Sequence, residues 1–415
     1  MSDTSLAPQN TRLLNAAVIV AALGYFVDIY DLLLFGFVRQ KSLLSLGFTK
    51  EQAFDIGLSL QNWQMGGMLL GGILWGVMGD KRGRVSVLYF SIALYSIANL
   101  MNGFVSGYAD YALFRFIAGI GLAGELGAGI TLVAEVMPKE KRGFGTMLVA
   151  SIGLSGALLA WVIEHSFDWR VCYFIGGGLG ALLLVFRISV AESGIFKAVK
   201  AQDDVQRGNF FALFTDRGRL SRFLRCIFIG TPTWFMVGVL VFFAPEFGKS
   251  KGLEGILAGN AIAACYSGLI LGDIASGMLS QYLRSRVKVM QIFLSLNLLA
   301  VLLYLTASFP NNATFYACHF LLGFTGGFWV IFVTVGAEQF GTNLRSTVAT
   351  TVPNFARGMQ VPINESFKYL KGAAVTGSVI SSGYIIGAVC FAIAFIALFR
   401  MRETFEEDLN YVETI

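Results

Sequence analysis

The sequence GVMGDKRGR occupies residues 76–84 and separates two long apolar stretches, 56–79 and 84–105. Each stretch is close to the length of about 20 residues that a helix needs to cross the hydrocarbon core of a bilayer. Acidic Asp80 and basic Arg84 lie four residues apart in the segment, so they can pair across a short loop. The segment therefore predicts two membrane-spanning helices that are joined by a tight, charged turn.

The composition of the whole chain agrees with a membrane protein. Its 415 residues are 55% hydrophobic and only 14% charged, with 48 glycines, which is too apolar for a water-soluble domain. The first apolar run is too long for the core of a signal peptide, so we predict that it remains as a span. We predict an all-α fold of twelve spans, at roughly 14–38, 56–79, 84–105, 109–136, 143–164, 169–189, 222–247, 255–283, 286–308, 313–338, 346–371 and 374–400.

The basic residues indicate the orientation of the chain. With an even number of spans, most of the 31 lysines and arginines fall in the termini and loops of one side. The positive-inside rule then places both termini in the cytoplasm, in a bacterial inner membrane. The same rule explains the net charge of +5, so no nucleic-acid partner is predicted.

The sequence pattern also excludes several classes of function. The five cysteines are scattered singly through the apolar stretches without metal-ligand spacing, so neither a metal site nor a cofactor is predicted. The chain contains no Walker-type phosphate loop and no nucleophile elbow. These features argue against ATP-driven transport and against an enzyme.

The chain divides into two similar halves. A polar linker at 190–221 separates a bundle at 14–189 from a bundle at 222–400, with a cytoplasmic N-terminus at 1–13 and a cytoplasmic tail at 401–415. Duplicated six-helix bundles are typical of a secondary transporter whose site lies between the halves near mid-membrane. A constant offset of 203 residues relates Gly124, Thr131, Ala134, Glu135 and Arg142 to Gly327, Thr334, Ala337, Glu338 and Arg345.

Residues 76–84 also carry a family signature. They resemble the pattern Gly-x-x-x-Asp-Arg/Lys-x-Gly-Arg/Lys of the major facilitator superfamily. In that family the motif latches the two halves together and governs their rocking. The resemblance implies a latch that contains Gly76, Asp80, Gly83 and Arg84, in which Gly76 permits close helix approach and Gly83 a tight turn.

Spans 1 and 4 resemble one family within this superfamily. The pattern Gly24-x-x-x-Asp28-x-Tyr30-Asp31 is similar to the Gly-x-x-x-Glu-Trp-Tyr-Asp pattern of the metabolite:proton symporter family, with Asp28 in place of Glu. Arg115 occupies the position of that family's span-4 arginine. The resemblance implies a metabolite transporter in which Arg115 takes part in proton coupling.

Two acids in span 1 are a strong functional signal in the residues themselves. A carboxylate at bilayer depth costs at least about 2.5–3.5 kcal/mol, so it needs a partner, a water-filled cavity or a proton. Asp28 and Asp31 are spaced i, i+3 and project from one face of the helix. We predict that they couple transport to protons together with Arg115 and Glu125 of span 4. The alternatives are a structural ion pair within the bundle and a fixed counter-ion role for Arg115.

Span 11 supplies the main predicted substrate contacts. Arg357 lies close to the bilayer centre by residue counting, and Asn354 lies one turn earlier on the same face. A guanidinium can bind a carboxylate or phosphate through two parallel hydrogen bonds. Arg357 could instead pair internally with Asp273 or Glu365. Further predicted cavity residues are Tyr25, Tyr30, Gln61 and Trp234.

Charged residues also mark the loop ends of spans 4 and 10. Glu135 and Glu338 lie at the predicted cytoplasmic ends of these spans, and Arg142 and Arg345 follow them. We predict that these four residues form gate or interface pairs and do not bind substrate.

Together these features predict a proton-coupled importer of a small organic anion, such as a carboxylate metabolite, that works by alternating access. We expect a monomer in the lipid bilayer whose partners are its substrate and protons. The sequence leaves open an exporter or exchanger, and a zwitterion or a carboxylate-type siderophore as substrate. A non-transporting sensor on the same fold and a passive channel are the alternatives of another class.

Overall fold

The computed structural model describes residues 16–137, 139–186, 208–372, 375–405 and 411–413. Every regular element within these residues is helical, which confirms the predicted all-α fold. The predicted N-terminal segment 1–13 and the first part of the predicted linker lie outside the described residues.

The helices of the described residues form twelve spans, of which several consist of more than one helix. Spans 1 to 6 are Ala16–Ser45, Lys50–Arg82, Arg84–Asn102, Tyr108–Leu122 with Glu125–Val136, Lys139–Leu154 with Gly156–Ser166, and Trp169–Phe186. Span 7 contains Arg217–Ile229, Thr231–Phe235, the π-helix Met236–Val241 and Ala244–Ser250. Spans 8 to 12 are Ala258–Leu283, Arg286–Thr306, Asn312–Gly326 with Trp329–Glu338, Arg345–Gly358 with Gln360–Lys371, and Val379–Phe399.

Spans 2 and 11 differ from the other spans in polarity. Within the described residues, ten stretches are long and apolar enough to cross a membrane, and these two spans are not among them. They pack against each other across the two halves, and glycines of span 2 allow the close approach. A Cβ atom at Gly72 would lie 3.0 Å from the Cβ atom of Asn354, and one at Gly76 would lie 2.9 Å from the Cα atom of Thr347. The two most polar spans therefore line the boundary between the halves.

Spans 4 and 10 are interrupted at equivalent positions. The break in span 4 includes Gly124, and the break in span 10 includes Gly327. These two glycines are related by the offset of 203 residues seen in the sequence. A Cβ atom at Gly327 would lie 2.5 Å from the backbone of Gly272 in span 8, so the absence of a side chain permits this packing.

Span 7 begins earlier than the sequence predicted. Its first helix starts at Arg217, whereas the predicted linker extends to residue 221. The Asp216 side chain accepts a hydrogen bond of 2.8 Å from the backbone N–H of Arg219 and so caps this helix. The helix therefore extends beyond its apolar segment, because a local cap sets its start.

Candidate functional site

A cluster of buried polar and aromatic side chains lies where the two halves meet. Span 1 contributes Tyr25 and the fully buried Asp28. The other half contributes Arg357 of span 11, which is 1% exposed, together with Trp234 and Trp329. The guanidinium carbon of Arg357 lies 5.6 Å from the centre of the Trp234 ring and 5.9 Å from that of Trp329. We call these five residues the central site.

Arg357 has little hydrogen bonding from the protein itself. Its Nη1 atom donates to Oδ1 of Asn354 at 3.3 Å, and its buried Nε atom has no hydrogen-bond partner in the described part of the chain. Among the described ion pairs, none involves Arg357. The predicted alternative of an internal ion pair is therefore not formed in this conformation.

The two acids that were considered as partners of Arg357 have other contacts. Asp273 of span 8 accepts a 3.4 Å hydrogen bond from the backbone N–H of Val330, at the start of the second helix of span 10. Glu365 accepts a 2.7 Å hydrogen bond from Asn62 of span 2. Asp273 thus caps a helix N-terminus, where a negative charge is favourable.

Contacts across the central site connect span 1 to the second half. The Tyr25 hydroxyl lies near the side chain of Trp329 and interacts with it. Asp28 and Arg357 both act electrostatically on Tyr25 and on Tyr266 of span 8. A positive and a negative group therefore face the same buried space from opposite halves of the protein.

A second polar site lies inside the first half. Asp31 is fully buried against Gly176 of span 6, where a Cβ atom would collide with its carboxylate oxygen. Arg115, Asp28 and the side chain of Asn99 all act on Asp31. In the described part of the chain, the Asp31 carboxylate interacts with the Asn99 side chain but makes no close hydrogen bond, and the Nε and Nη1 atoms of Arg115 have no hydrogen-bond partner. We call Asp31, Arg115 and Asn99 the inner site.

Arg115 is held next to Asp31 by other groups. Its Nη2 atom donates to Oε1 of Gln64 in span 2, and its guanidinium lies 4.8 Å from the centre of the Phe35 ring. Arg115 therefore lies near enough to act electrostatically on Asp31, although the two groups do not form an ion pair here. Although Asp28 and Asp31 are one turn apart on span 1, Asp28 belongs to the central site and Asp31 to the inner site.

Three predicted site residues lie away from the central site. Tyr30 packs inside the first half, where its hydroxyl donates to the carbonyl of Cys172 at 2.8 Å. Gln61 accepts a 3.3 Å hydrogen bond from Asn364 at the end of the interface opposite to Asp80. Glu125 accepts a 2.8 Å hydrogen bond from Ser91 of span 3.

Span 11 closes the end of the interface that contains Asp80, which we call the Asp80 end. The two carboxylate oxygens of Asp80 accept hydrogen bonds from the backbone N–H groups of Ser346 and Thr347 at 3.1 and 2.8 Å. Its Oδ2 atom also accepts a 2.6 Å hydrogen bond from the Thr347 hydroxyl. Because these groups lie at the N-terminus of span 11, Asp80 caps a helix of the other half.

Local geometry places Asp80 in this position. Arg84 lies with its Nη2 atom 3.5 Å from Asp80, and its Nη1 atom donates to the carbonyl of Gly79 at 2.8 Å. Gly83 separates spans 2 and 3 with a φ of 108°, in the region that favours glycine. The turn therefore fixes Arg84 beside Asp80 and directs the acid towards span 11.

The remaining predicted gate residues are only partly described. Glu338 pairs with Arg286 of span 9 at 2.7 Å and accepts a 2.9 Å hydrogen bond from Thr404 of the tail, all within the second half. Arg345 is fully buried at the start of span 11. The side chains of Glu135 and Arg142 lie outside the described residues.

The opposite end of the interface is also closed by contacts between spans 2 and 11. Besides the Gln61 contact, Asn62 donates to Glu365 at 2.7 Å and accepts a 3.1 Å hydrogen bond from Asn364. Arg39 of span 1 lies 3.6 Å from Glu246 of span 7. The central site is therefore occluded, with closed contacts between the halves at both ends.

A comparison of this sequence with known protein families agrees with this architecture. The sequence model described as Major Facilitator Superfamily matches residues 17–360. The chain belongs to the Major Facilitator Superfamily. It is therefore a membrane transporter of this fold and not an enzyme, as the sequence predicted.

Relatives within the superfamily are similar over most of their length. A Haemophilus influenzae protein named for metabolite transport is 27% identical, over 83% of this chain and 86% of its own. The sialic acid transporter NanX of Escherichia coli is 25% identical, over 84% and 85%. The gentisate transporter of Corynebacterium glutamicum is 24% identical, over 80% and 76%.

A solved structure shares the fold of this superfamily member. The structure of the proton:xylose symporter XylE superposes with a TM-score of 0.76 at 16% sequence identity, over 95% of this chain and 97% of that one. At this identity the similarity establishes the fold alone. It agrees with the twelve spans predicted from the sequence.

Three polar residues at the two sites were missed by the sequence analysis. Gln64 holds Arg115, Asn99 faces Asp31, and Tyr266 faces Asp28. Gln64 lies three residues after Gln61 in span 2, so its polarity within a span was a usable signal. Asn99 and Tyr266 are single polar residues in apolar stretches, and their partners are distant in the sequence.

Proposed function

We propose that this chain is a proton-coupled symporter that imports a small organic anion, such as a carboxylate metabolite, by alternating access. The observation that carries the proposal is the buried guanidinium of Arg357, which has one hydrogen bond to Asn354 and no ion pair among the described residues. A buried guanidinium that no carboxylate contacts directly is poorly compensated for its lost hydration. A carboxylate of the substrate would supply that direct contact and accept parallel hydrogen bonds.

The surroundings of Arg357 favour a carboxylate that is attached to a ring. Trp234 and Trp329 both lie within about 6 Å of the guanidinium, and the centres of their rings are 5.7 Å apart. Aromatic faces pack well against flat or apolar rings, and the buried Nε1–H of Trp234 has no hydrogen-bond partner in the described chain. Gentisate and sialic acid, which name two of the relatives, both join a carboxylate to a ring.

The charges of the central site require a proton when an anion enters. Asp28 and Arg357 together are neutral when both are ionised, so a substrate carboxylate would leave an excess negative charge in a buried space. We assign the compensating proton to Asp31 in the inner site. A protonated Asp31 is neutral, which suits carboxylate oxygens that are buried without a close hydrogen bond to any described residue.

Release of that proton would change the contacts of the inner site. An ionised Asp31 attracts Arg115, whose Nε and Nη1 atoms have no hydrogen-bond partner among the residues that the structure describes. Arg115 would then exchange its hydrogen bond to Gln64 for an ion pair with Asp31. Because Asp28 and Asp31 are both on span 1, this change would be transmitted by one helix to the central site.

Alternating access would proceed by opening one end of the interface at a time. Asp80 and span 11 close one end, and Asn62, Asn364 and Glu365 close the other. We place the Asp80 end and both termini in the cytoplasm of a bacterium, because basic residues are concentrated on that side.

The proposal is tested by uptake into proteoliposomes with an inward proton gradient. The panel contains aromatic carboxylates, sugar acids and dicarboxylates, each beside its uncharged amide. We expect uptake of a carboxylate and not of its amide, with loss of uptake in Arg357→Ala. Equal uptake of acid and amide, or unchanged uptake in Arg357→Ala, would refute the anion site.

Arg170→Lys is the matched control for the Arg357 variant. Arg170 also lies over a tryptophan, 4.3 Å from the centre of the Trp169 ring, but it binds backbone carbonyls within the first half. We expect this variant to transport like the wild type. The comparison separates a specific role of Arg357 from a general effect of changing an arginine that packs on a tryptophan.

A further inference from the structure

A groove of about 430 Å³ lies between spans 7 and 12, away from the boundary between the halves. Its walls are apolar and partly open to the membrane, since Leu224 is 37% and Ile396 is 61% exposed. The groove begins at the Asp80 end, where span 7 starts and span 12 finishes. The apolar lining residues are Leu220, Leu224, Phe228, Ile393, Ile396 and Ala397.

Three arginines line the mouth of this groove. Arg217 and Arg400 are exposed, and Arg225 is half-buried. Arg225 is held in place, because its Nε atom donates to the carbonyl of Ser221 at 3.0 Å and its Nη1 atom donates to the carbonyl of Arg400. Among the described residues, those that line the groove include no aspartate or glutamate. The mouth is therefore strongly positive.

The position of the arginines matches that of lipid headgroups. Arg217 is the first residue of span 7, and Arg400 directly follows the last residue of span 12. Residues at the ends of spans lie at the level where the headgroups of one leaflet meet the hydrocarbon core. The apolar walls extend from there along both helices towards the bilayer centre, at the depth of acyl chains.

We propose that this groove binds an anionic phospholipid of the leaflet at the Asp80 end. The phosphate would contact Arg217, Arg225 and Arg400, and an acyl chain would pack along the apolar walls. Basic pockets between membrane-spanning helices bind anionic headgroups in this way. A free phosphate would use only the mouth of the groove and would leave its apolar walls uncovered.

The expected preference follows from the number of basic residues. Each lysine or arginine near a membrane surface favours an anionic lipid by about fivefold. Three arginines therefore predict a preference for phosphatidylglycerol over phosphatidylcholine of roughly 100-fold. The binding does not depend on the proposed substrate or on proton coupling, so either proposal can fail while the other holds.

Lipid binding is measured on the full-length protein in detergent by native mass spectrometry, with each lipid added at increasing concentration. We expect the triple variant Arg217→Gln, Arg225→Gln, Arg400→Gln to bind phosphatidylglycerol and phosphatidylcholine within about threefold of each other, since most of the charge-dependent preference is removed. The corresponding triple lysine variant should keep most of the preference. An unchanged preference in the glutamine variant would overturn the proposal.

The control variant removes three cytoplasmic-side charges from outside the groove. Arg82, Arg284 and Lys288 are exposed at the Asp80 end and do not line the groove. Their triple glutamine variant should keep the preference of the wild type. If it loses as much preference as the groove variant, the effect is a general surface charge and the proposed site is wrong.

A second arm separates an intact lipid from a free phosphate. Glycerol 3-phosphate is added in excess as a competitor that carries the headgroup phosphate without acyl chains. We expect it not to displace phosphatidylglycerol, whereas Leu224→Trp with Ile396→Trp should reduce lipid binding by filling the groove without changing its charge. Full displacement by glycerol 3-phosphate, or unchanged binding in the filled variant, would contradict a lipid site.

Discussion

The Asp80 contact to span 11 allows a quantitative prediction for Asp80→Asn. The substitution keeps the size of the side chain and one acceptor oxygen, but it replaces the other oxygen with an N–H₂ donor. If the remaining oxygen faces Ser346, the backbone N–H of Thr347 loses its acceptor. The Thr347 hydroxyl can turn to accept from the new amide, so it need not be left unpaired.

The magnitude follows from these contacts. Loss of a hydrogen bond to a charged group costs about 1.5–3 kcal/mol, and a buried donor without an acceptor costs about 1–3 kcal/mol. The Asp80 carboxylate also loses its interaction with the N-terminus of span 11, which is about 0.3–1 kcal/mol. Because these costs overlap, we take about 3 kcal/mol as the net weakening of the closed Asp80 end, or a shift of about 100-fold in its equilibrium with an open state.

Distances between spin labels measure this shift. Cysteines are introduced at Arg82 and Lys288, which are exposed at the Asp80 end on opposite halves, and at Ala109 and Ala313 as the pair for the other end. All five native cysteines are buried, so the background labelling should be low. We expect Asp80→Asn to lengthen the first distance, and Asp80→Glu to lengthen it less.

An unchanged distance at the Asp80 end, with a folded protein and efficient labelling, would refute the reasoning. It would mean that the cap on span 11 contributes little to closure. A longer distance at both ends would also contradict it, because the bundle would then have separated and not rocked.

Three further predictions concern the central site, the interface and the tail. Arg357→Lys should raise the KM for the transported carboxylate by about 10–100-fold, because the lysine makes one charged hydrogen bond fewer, worth about 1.5–3 kcal/mol. Initial uptake rates at increasing substrate concentration measure this KM. Gly76→Ala should open the Asp80 end in the same spin-label assay, because its Cβ atom would lie 2.9 Å from the Cα atom of Thr347; an unchanged distance would contradict this packing. Burial alone would raise the pKa of Glu403, but hydrogen bonds from Ser285 and from backbone N–H groups lower it below its usual value. Glu403 therefore stabilises the fold above its unfolded pKa of about 4.3, and this contribution is lost as the pH falls through its lower folded value. In thermal unfolding, Glu403→Gln should be less stable than the wild type at pH 7. The difference in stability between the two proteins should shrink at acid pH, and a difference that stays constant would argue against this role.

The fold was predictable because apolar length determines it. Each predicted span contains a helix of the structure. The constant offset indicated two similar halves, but it did not predict that spans 4 and 10 break at Gly124 and Gly327. The helix that starts at Arg217 was placed too late, because its cap at Asp216 is a local polar contact that apolar length does not show.

The candidate sites were predictable only in part. Asp28 and Arg357 were found because a charge within a span is costly and so draws attention. Tyr30 and Gln61 were assigned to the cavity from polarity alone, but the direction of a side chain depends on which helices surround it. Tyr30 faces Cys172 within its own half, and no pattern within span 1 indicates that neighbour.

The separation of the two acids on span 1 could not be predicted for the same reason. Residues at i and i+3 lie on one side of a helix, but their side chains point in somewhat different directions. They can therefore contact different neighbouring helices. In the structure Asp31 lies against Gly176 and Asp28 acts on Tyr266 of the other half. Tertiary packing therefore divides a single sequence motif between two sites.

The most direct test of this account compares accumulation with exchange in Asp31→Asn proteoliposomes, using the carboxylate identified by the uptake panel. We expect the variant to exchange internal for external substrate, because its central site is intact, but not to accumulate substrate or acidify the lumen under a proton gradient. Asp28→Asn is the matched control and should weaken substrate affinity in both assays. If Asp31→Asn accumulates the carboxylate and acidifies the lumen like the wild type, Asp31 does not carry the coupled proton and the central claim is wrong.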